Sequence, residues 1–308
     1  MKTAGRLERL LASGRFVVTA EAGPPRGADP EPVRRKAAQL KGFVDACNVT
    51  DNQRAMVRMS SLVASKILLD EGVEPVMQMT CRDRNRIAMQ SDILGASALG
   101  ISNLLCLSGD HQSFGDHPGA KNVFDLDSIQ LIAMARKMRD EGLFESGQPI
   151  KSGVSRLLVG AVENPFGEPR EIRVPRLAKK VEAGAEFIQT QSIFNVERFA
   201  EWMGQVRDRG LHERVYILAG ISPLKSSNMA VIMATKVPGM EVPEAILTRM
   251  AGVPKEEQKA EGLRIAVETI ERIRDIPGVA GVHVMAIEWE DAVADIVRRA
   301  GLMPRPEP

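Results

Sequence analysis

Apolar runs of four or five residues alternate along this chain with longer segments in which apolar residues recur every three or four positions. The short runs have the length of buried strands: Phe16–Ala20, Ala46–Val49, Pro75–Met79, Asn103–Leu107, Leu157–Ala161, Phe187–Thr190, Val215–Ala219 and Gly281–Met285. Between them, Glu31–Lys41, Ser60–Glu71, Arg84–Leu99, Leu126–Asp140, Val174–Ala183, Val196–Arg209 and Lys255–Asp275 carry the helical pattern. Glycine stands at positions 42, 72, 100, 142, 184 and 210, just past helical segments, where a left-handed C-terminal cap needs it. Eight strands separated by helices predict a (β/α)8 TIM barrel of class α/β.

A doubly wound open sheet is the rival arrangement, but its usual Gly-rich turn after the first strand, GxGxxG, is missing. No linker or low-complexity stretch divides the chain, so residues 1–308 are expected to form one domain. Ser108–Asp125, rich in Gly, His and Asp, is the longest loop-like insertion and is expected over the active face. Gly239–Lys255 is expected to add a short helix, and the opening MKTAGRLERLLASGRF reads as an amphipathic helix.

Composition narrows the partners. With 44% hydrophobic residues a core is readily built, and 41 basic against 40 acidic residues leave a net charge of +1. That balance provides no global field for nucleic acid or an anionic membrane, and favours a small-molecule partner. The N-terminal segment lacks a signal-peptide core, and no run of about 18 apolar residues predicts a membrane span. Cys47, Cys81 and Cys106 are odd in number and widely spaced, which suits a reducing cytoplasm rather than disulfides or zinc. Aromatics make up 4% and Met reaches 15 residues, so thioethers are expected to line some internal surfaces.

The candidate chemistry lies at the strand ends. In FVVTAEAGPP the apolar run ends on Glu21 and breaks at Gly23-Pro24-Pro25, placing a carboxylate where barrel enzymes keep catalytic groups. Other strand ends present Asn48 and Thr50 with Asp51, Gln78 and Thr80, Ser108-Gly109-Asp110, Glu163-Asn164, Gln189 and Gln191, Gly220, and His283. The four histidines are scattered, so no metal site is expected, and no Ser-His-Asp or Cys-His pair has supporting context. A carboxylate acid/base above an uncharged, amide-rich pocket suits a flat heteroaromatic ligand held by hydrogen bonds.

The segments FVVTAEAGPPRG, ACNVTDN, MQMTCRDRN, LLCLSGDH, KKVEAGAEFIQTQSIFN and LAGISPLKS, in this order, resemble the methylenetetrahydrofolate reductase family. That resemblance covers nearly the whole chain from Phe16. It implies a barrel that binds FAD non-covalently and reduces methylenetetrahydrofolate to methyltetrahydrofolate in cytoplasmic one-carbon metabolism, the route to methionine biosynthesis. By the same resemblance, Glu21 falls on the general acid that protonates the substrate and opens its five-membered ring to an iminium cation. Asp110 falls on the aspartate that binds the pterin and supports developing positive charge, and Gln191 on a glutamine that hydrogen-bonds the folate ring. Thr50, Gly109 and Ala161 match positions beside the flavin, and Lys180 a lysine that reaches its phosphates.

Several positions depart from the better-known bacterial members. Gln78 stands for a histidine at the flavin, Ser108 for an arginine, Val162 for a tyrosine and Arg173 for an acidic residue. Met229 and Met233 replace a glutamine and a phenylalanine that hold a folded nicotinamide. Losing an aromatic stacking surface removes a contact worth on the order of 1 kcal/mol. The electron donor is therefore left open between NAD(P)H and a redox partner protein, with a homo-oligomer or a hetero-complex expected. A second implication stays open beside the reductase: an accessory folate-binding or electron-transfer barrel within a larger complex.

Overall fold

In the computed structural model, which describes residues 1–307, eight parallel strands close into a barrel in sequence order. They are β1 (Val17–Ala22), β2 (Ala46–Val49), β3 (Pro75–Thr80), β4 (Asn103–Leu107), β5 (Leu158–Glu163), β6 (Phe187–Ser192), β7 (Tyr216–Ile221) and β8 (Val279–Val284). β8 returns to β1 with Val17 beside Gly281 and Thr19 beside His283, which completes the closure. The helices are α1 (Arg6–Ala12), α2 (Glu31–Leu40), α3 (Ser61–Asp70), α4 (Arg86–Ala98), α5 (Ser128–Asp140) and α6 (Arg173–Ala183). They continue as α7 (Val196–Asp208), α8 (Ser227–Lys236), α9 (Glu244–Ala251), α10 (Gln258–Arg274) and α11 (Asp291–Arg299). The fold is the expected (β/α)8 barrel.

Four strands run two residues further than their apolar stretches. β1, β5, β6 and β7 each continue past the last residue of the predicted run; Glu21, Glu163 and Ser192 at the ends of the first three still pair in the sheet, and β7 adds Gly220 and Ile221. Glu21 lies beside Asn48 and Glu163 beside Thr190 in the register. Hydrophobicity ends at the lip of the barrel, whereas backbone pairing does not. The helix α11, like α8 before it, has no counterpart in the predicted elements. Its buried residues Ala292, Val293, Ile296 and Val297 recur at helical spacing against the barrel, so the pattern was present in a short segment.

The barrel's amino end is sealed. Leu7, Leu10 and Leu11 of α1 pack with Val17, Ala46, Val76, Leu105, Leu158, Phe187 and Leu218 in one buried cluster. Glu74 fastens the plug by accepting the backbone N–H groups of Arg6 and Leu7, the latter at 3.0 Å. The main core lies between the sheet and the outer helices. Within the lumen, Phe187 is fully buried and its ring takes the volume that a side chain at position 160 would need: a Cβ on Gly160 would fall 2.2 Å from it. With the bottom closed this way, the carboxyl end is left for chemistry.

Phe187→Ala should cost about 3–5 kcal/mol in urea unfolding, as expected for deleting a buried ring. Adding Gly160→Ala to that variant should recover part of the loss, whereas Gly160→Ala alone should destabilise by overpacking. Additive losses in the double variant would show that the two positions do not share one volume.

Candidate active site

Three adjoining cavities of about 400, 410 and 840 Å³ open at the carboxyl ends of the strands, and Glu21 lines all three. A further hollow of about 690 Å³ lies beside α4 against residues 144 and 148–155 and contains none of the strand-end residues. The chemistry therefore belongs to the Glu21 group.

Glu21 is half-buried near the end of β1, one residue before the strand gives way to the Gly-Pro-Pro turn. Burial raises its pKa to about 7, against smaller opposing effects of the Gln78 amide and the Lys36 ammonium. Lys36 is itself held by Glu290 at 2.5 Å and by the Gly23 carbonyl at 3.2 Å, so much of its charge is spent locally. The outcome is a carboxyl group that can carry a proton near neutrality.

Below Glu21 the lumen holds a fully buried polar layer. The Asn48 and Gln189 amides exchange two hydrogen bonds, Asn48 Nδ2 donating at 2.6 Å and Gln189 Nε2 donating at 3.0 Å. Gln189 Nε2 also donates to Thr19 Oγ1 at 3.3 Å, and Thr19 Oγ1 lies 2.9 Å from His283 Nδ1. These partners come from β1, β2, β6 and β8, so strand register rather than local sequence assembles them.

On the β2–β4 side, Asp51 is buried and organises the lip. It accepts from the Thr80 backbone at 2.8 Å, the Thr80 hydroxyl at 2.9 Å and the Arg84 guanidinium at 2.7 Å. Buried Arg82 spans the loops after β2 and β4, donating to the Asn52 carbonyl at 3.1 Å and the Asp110 carbonyl at 3.0 Å. The carboxylate of Asp110 accepts the Arg54 N–H at 3.0 Å. Arg54 has φ 59°, and its neighbours Asn52 and Ala55 also lie at positive φ. Three such non-glycine residues in one loop mark a strained backbone of the kind that collects at functional sites. Gly109 has φ 89° and lies against Thr80, where a Cβ would approach to 3.0 Å. A side chain is thus excluded there and the backbone is left bare.

The β5–α6 side is cationic. Lys180 pairs with buried Glu163 at 2.8 Å and also donates to the Val162 carbonyl; burial lowers its pKa, and Glu163 partly restores it. Arg173, Arg176 and Lys180 recur at helical spacing and reach one cavity wall. Arg173 is held by the Gly167 carbonyl at 2.7 Å, while Arg176 has no partner among the described residues and is exposed.

Most of the expected site residues come together. Thr50, Gln78, Ser108, Gly109, Asp110 and Lys180 line one cavity with Glu21. Gln191 lines the other two, and Met233 lines the largest together with Asp110. Two residues are not brought in. Ala161 points its methyl into the main core, because alternate residues of β5 face opposite ways and Val162 takes the cavity side. Met229 packs in a satellite cluster with Phe194, Leu224 and Met250, its sulfur accepting the Lys225 N–H at 3.4 Å. The insertion 108–125 does lie on this face: Asp116 pairs with Arg26, and Gly115 abuts Ala55. Arg82 and Arg176 escaped the sequence reading, although the 173, 176, 180 spacing on one helix was a usable signal.

The model of the methylenetetrahydrofolate reductase family matches residues 6–301. A probable methylenetetrahydrofolate reductase (NADPH) of Caenorhabditis elegans is 24% identical over 312 residues, covering 96% of this chain and 44% of its own length. Methylenetetrahydrofolate reductase 2 of Schizosaccharomyces pombe is 29% identical over 237 residues, covering 74% of this chain and 36% of its own. The chain thus spans less than half the length of these two curated relatives. Among solved structures, an uncharacterized Clostridium thermocellum protein that binds two copies of 5-methyl-5,6,7,8-tetrahydrofolic acid has a TM-score of 0.63 at 13% identity, covering 96% of this chain and 99% of its own. At that identity the likeness establishes the shared barrel. No helix among the described residues is long and apolar enough to cross a membrane.

Proposed function

Because the chain belongs to the methylenetetrahydrofolate reductase family, we propose that its barrel is a flavin- and folate-binding catalytic domain that reduces methylenetetrahydrofolate to methyltetrahydrofolate. The observation that carries this reading is Glu21, a carboxyl raised to about 7 at the point where three cavities meet. An acid of that strength can protonate a ring nitrogen near neutral pH, as general acid catalysis of ring opening requires.

The residues present fit a flavin. Thr50, Gln78, Ser108 and the bare backbone of Gly109 supply hydrogen-bonding groups around one cavity, and the exposed face of Val162 supplies an apolar surface. Arg176, without a partner, and Lys180 supply positive charge for phosphates. A reduced flavin held there supplies the hydride equivalent. Glu21 gives its proton to the nitrogen of the breaking carbon–nitrogen bond and is left as a carboxylate, which solvent reprotonates. Asp110, exposed on the same cavity wall, favours the positive charge that develops on the substrate. Gln191 lines the adjoining cavity with Glu21, and its amide is the proposed hydrogen-bond partner of the pterin edge.

The donor is proposed to be a dedicated redox partner or a reductant stronger than free NAD(P)H. Met229 and Met233 both pack against the satellite cluster, and among the described residues no aromatic side chain lines the largest of the three cavities to stack on a nicotinamide. With neither arginine nor histidine at positions 108 and 78, less positive charge faces the flavin, which disfavours its anionic reduced form and lowers its potential.

Glu21→Gln should lower folate reduction by about 10²–10⁴-fold while flavin content stays unchanged. Wild-type folate reduction should fall as pH rises through about 7, because the working form of Glu21 is protonated. The same shift sets a stability trend. A carboxyl with a raised folded pKa contributes stability that is full below its ordinary value and is lost as pH rises through about 7. Urea midpoints should therefore decline more between pH 6 and 9 in wild type than in Glu21→Gln. Unchanged turnover in the variant would reduce Glu21 to a strand-end carboxylate.

For the donor, stopped-flow mixing with NADH and NADPH should bleach the flavin slowly and incompletely. Complete bleaching within about a second at sub-millimolar cofactor would show that Met233 and its surroundings form a competent nicotinamide site.

A further inference from the structure

His283 is a buried ring beneath Glu21 to which the reaction above gives no task. It lies in register with Thr19 on one side and Gly220 on the other, is 3% exposed, and borders the cavity that Glu21, Gln191 and Met285 also line. The Thr19 hydroxyl has two acceptors within reach, His283 Nδ1 at 2.9 Å and the Val282 carbonyl at 3.4 Å. Gln189 also donates to the Thr19 oxygen at 3.3 Å; of the two acceptors Nδ1 is the nearer and receives the hydroxyl proton in the assignment proposed here. A neutral imidazole that accepts at Nδ1 carries its own proton on Nε2. Burial keeps the ring in that neutral form, lowering its pKa to about 3. Nε2 has no protein partner among the described residues.

We propose that His283 is a folate-binding residue whose Nε2–H donates a hydrogen bond from the cavity floor to an acceptor atom of the pterin ring. This assignment rests on the function proposed above. The pterin is the ligand in question because His283 shares its cavity with Glu21 and Gln191, the acid and the amide proposed to meet the pterin; Gln78, Val162 and Lys180 of the flavin set reach the same cavity, and the Ser108–Gly109 cradle does not. Neutrality matters to the chemistry. The substrate becomes cationic as its ring opens, and a neutral donor holds it without the repulsion that an imidazolium would add. The Thr19–Gln189–Asn48 layer is what fixes the tautomer, in the way second-layer partners orient a functional histidine.

Nitrogen-15 NMR of the histidine-labelled full chain tests the geometry directly. His283 should show a protonated Nε2 and an unprotonated Nδ1, and adding 5-methyltetrahydrofolate should shift Nε2 far more than Nδ1. His283→Phe should weaken 5-methyltetrahydrofolate binding about tenfold with flavin affinity unchanged, the effect of one lost hydrogen bond. His283→Gln, whose amide can donate from a similar position, should recover most of that affinity, and it also serves if the Phe variant fails to fold. A proton on Nδ1 in wild type, or wild-type folate affinity in His283→Phe, overturns the proposal alone. A wild-type protein that binds no folate overturns the proposed function as well.

Discussion

Pairing of Glu21 with Asn48 across β1 and β2 keeps a carboxylate inside the sheet at the lip of a closed barrel. Had β1 ended with its apolar run at Ala20, Glu21 would hang in a loop and water would hold its pKa in the ordinary carboxylate range. Held in the strand, it is partly stripped of water, and that desolvation raises it to about 7. The proposed acid chemistry follows from this one placement. The support is layered: the Asn48–Gln189 amide pair fills the lumen beneath it, and Phe187 and the α1 plug close the lumen further down. Each layer spares the next from an unsatisfied polar group or a void.

The two sides of the mouth differ in charge, and the difference has a structural origin. On the β5–α6 side, helical spacing directs Arg173, Arg176 and Lys180 to one wall, and Glu163 neutralises part of that charge from below. On the β2–β4 side, Asp51 and Arg82 are consumed in holding loops together, which fixes Asp110 over the strained turn at Arg54. The free charge facing the cavities is thus positive on the β5–α6 side and negative at Asp110.

Most of the fold was legible in the sequence, because buried parallel strands are short apolar runs and the helices between them are amphipathic. Glycines such as Gly184, at φ 117°, marked helix ends by a requirement that few other residues meet. What escaped was α8, α11 and the carboxyl-terminal residues of β1, β5, β6 and β7, where polarity at Glu21, Glu163 and Ser192 and a glycine at Gly220 hide the pairing. In the site, position at a strand end was legible, as at Glu21 and Asp110, which line one cavity. Ala161 was not, since a one-residue step reverses which face of a strand a side chain occupies. Met229 and Met233 are four residues apart on one helix and both pack against the satellite cluster, yet only Met233 also lines a cavity. The Thr19–His283 contact joins residues 264 positions apart, so it exists as a relation only once the barrel closes.

As proposed, this barrel carries hydride equivalents from a bound flavin to a folate that Glu21 has activated. The most direct measurement mixes chemically reduced, flavin-loaded protein with methylenetetrahydrofolate under anaerobic conditions while following flavin absorbance and product. Stoichiometric flavin reoxidation with formation of methyltetrahydrofolate, faster below pH 7 than above it, is the predicted result. A flavin that stays reduced in the presence of saturating methylenetetrahydrofolate would contradict the account.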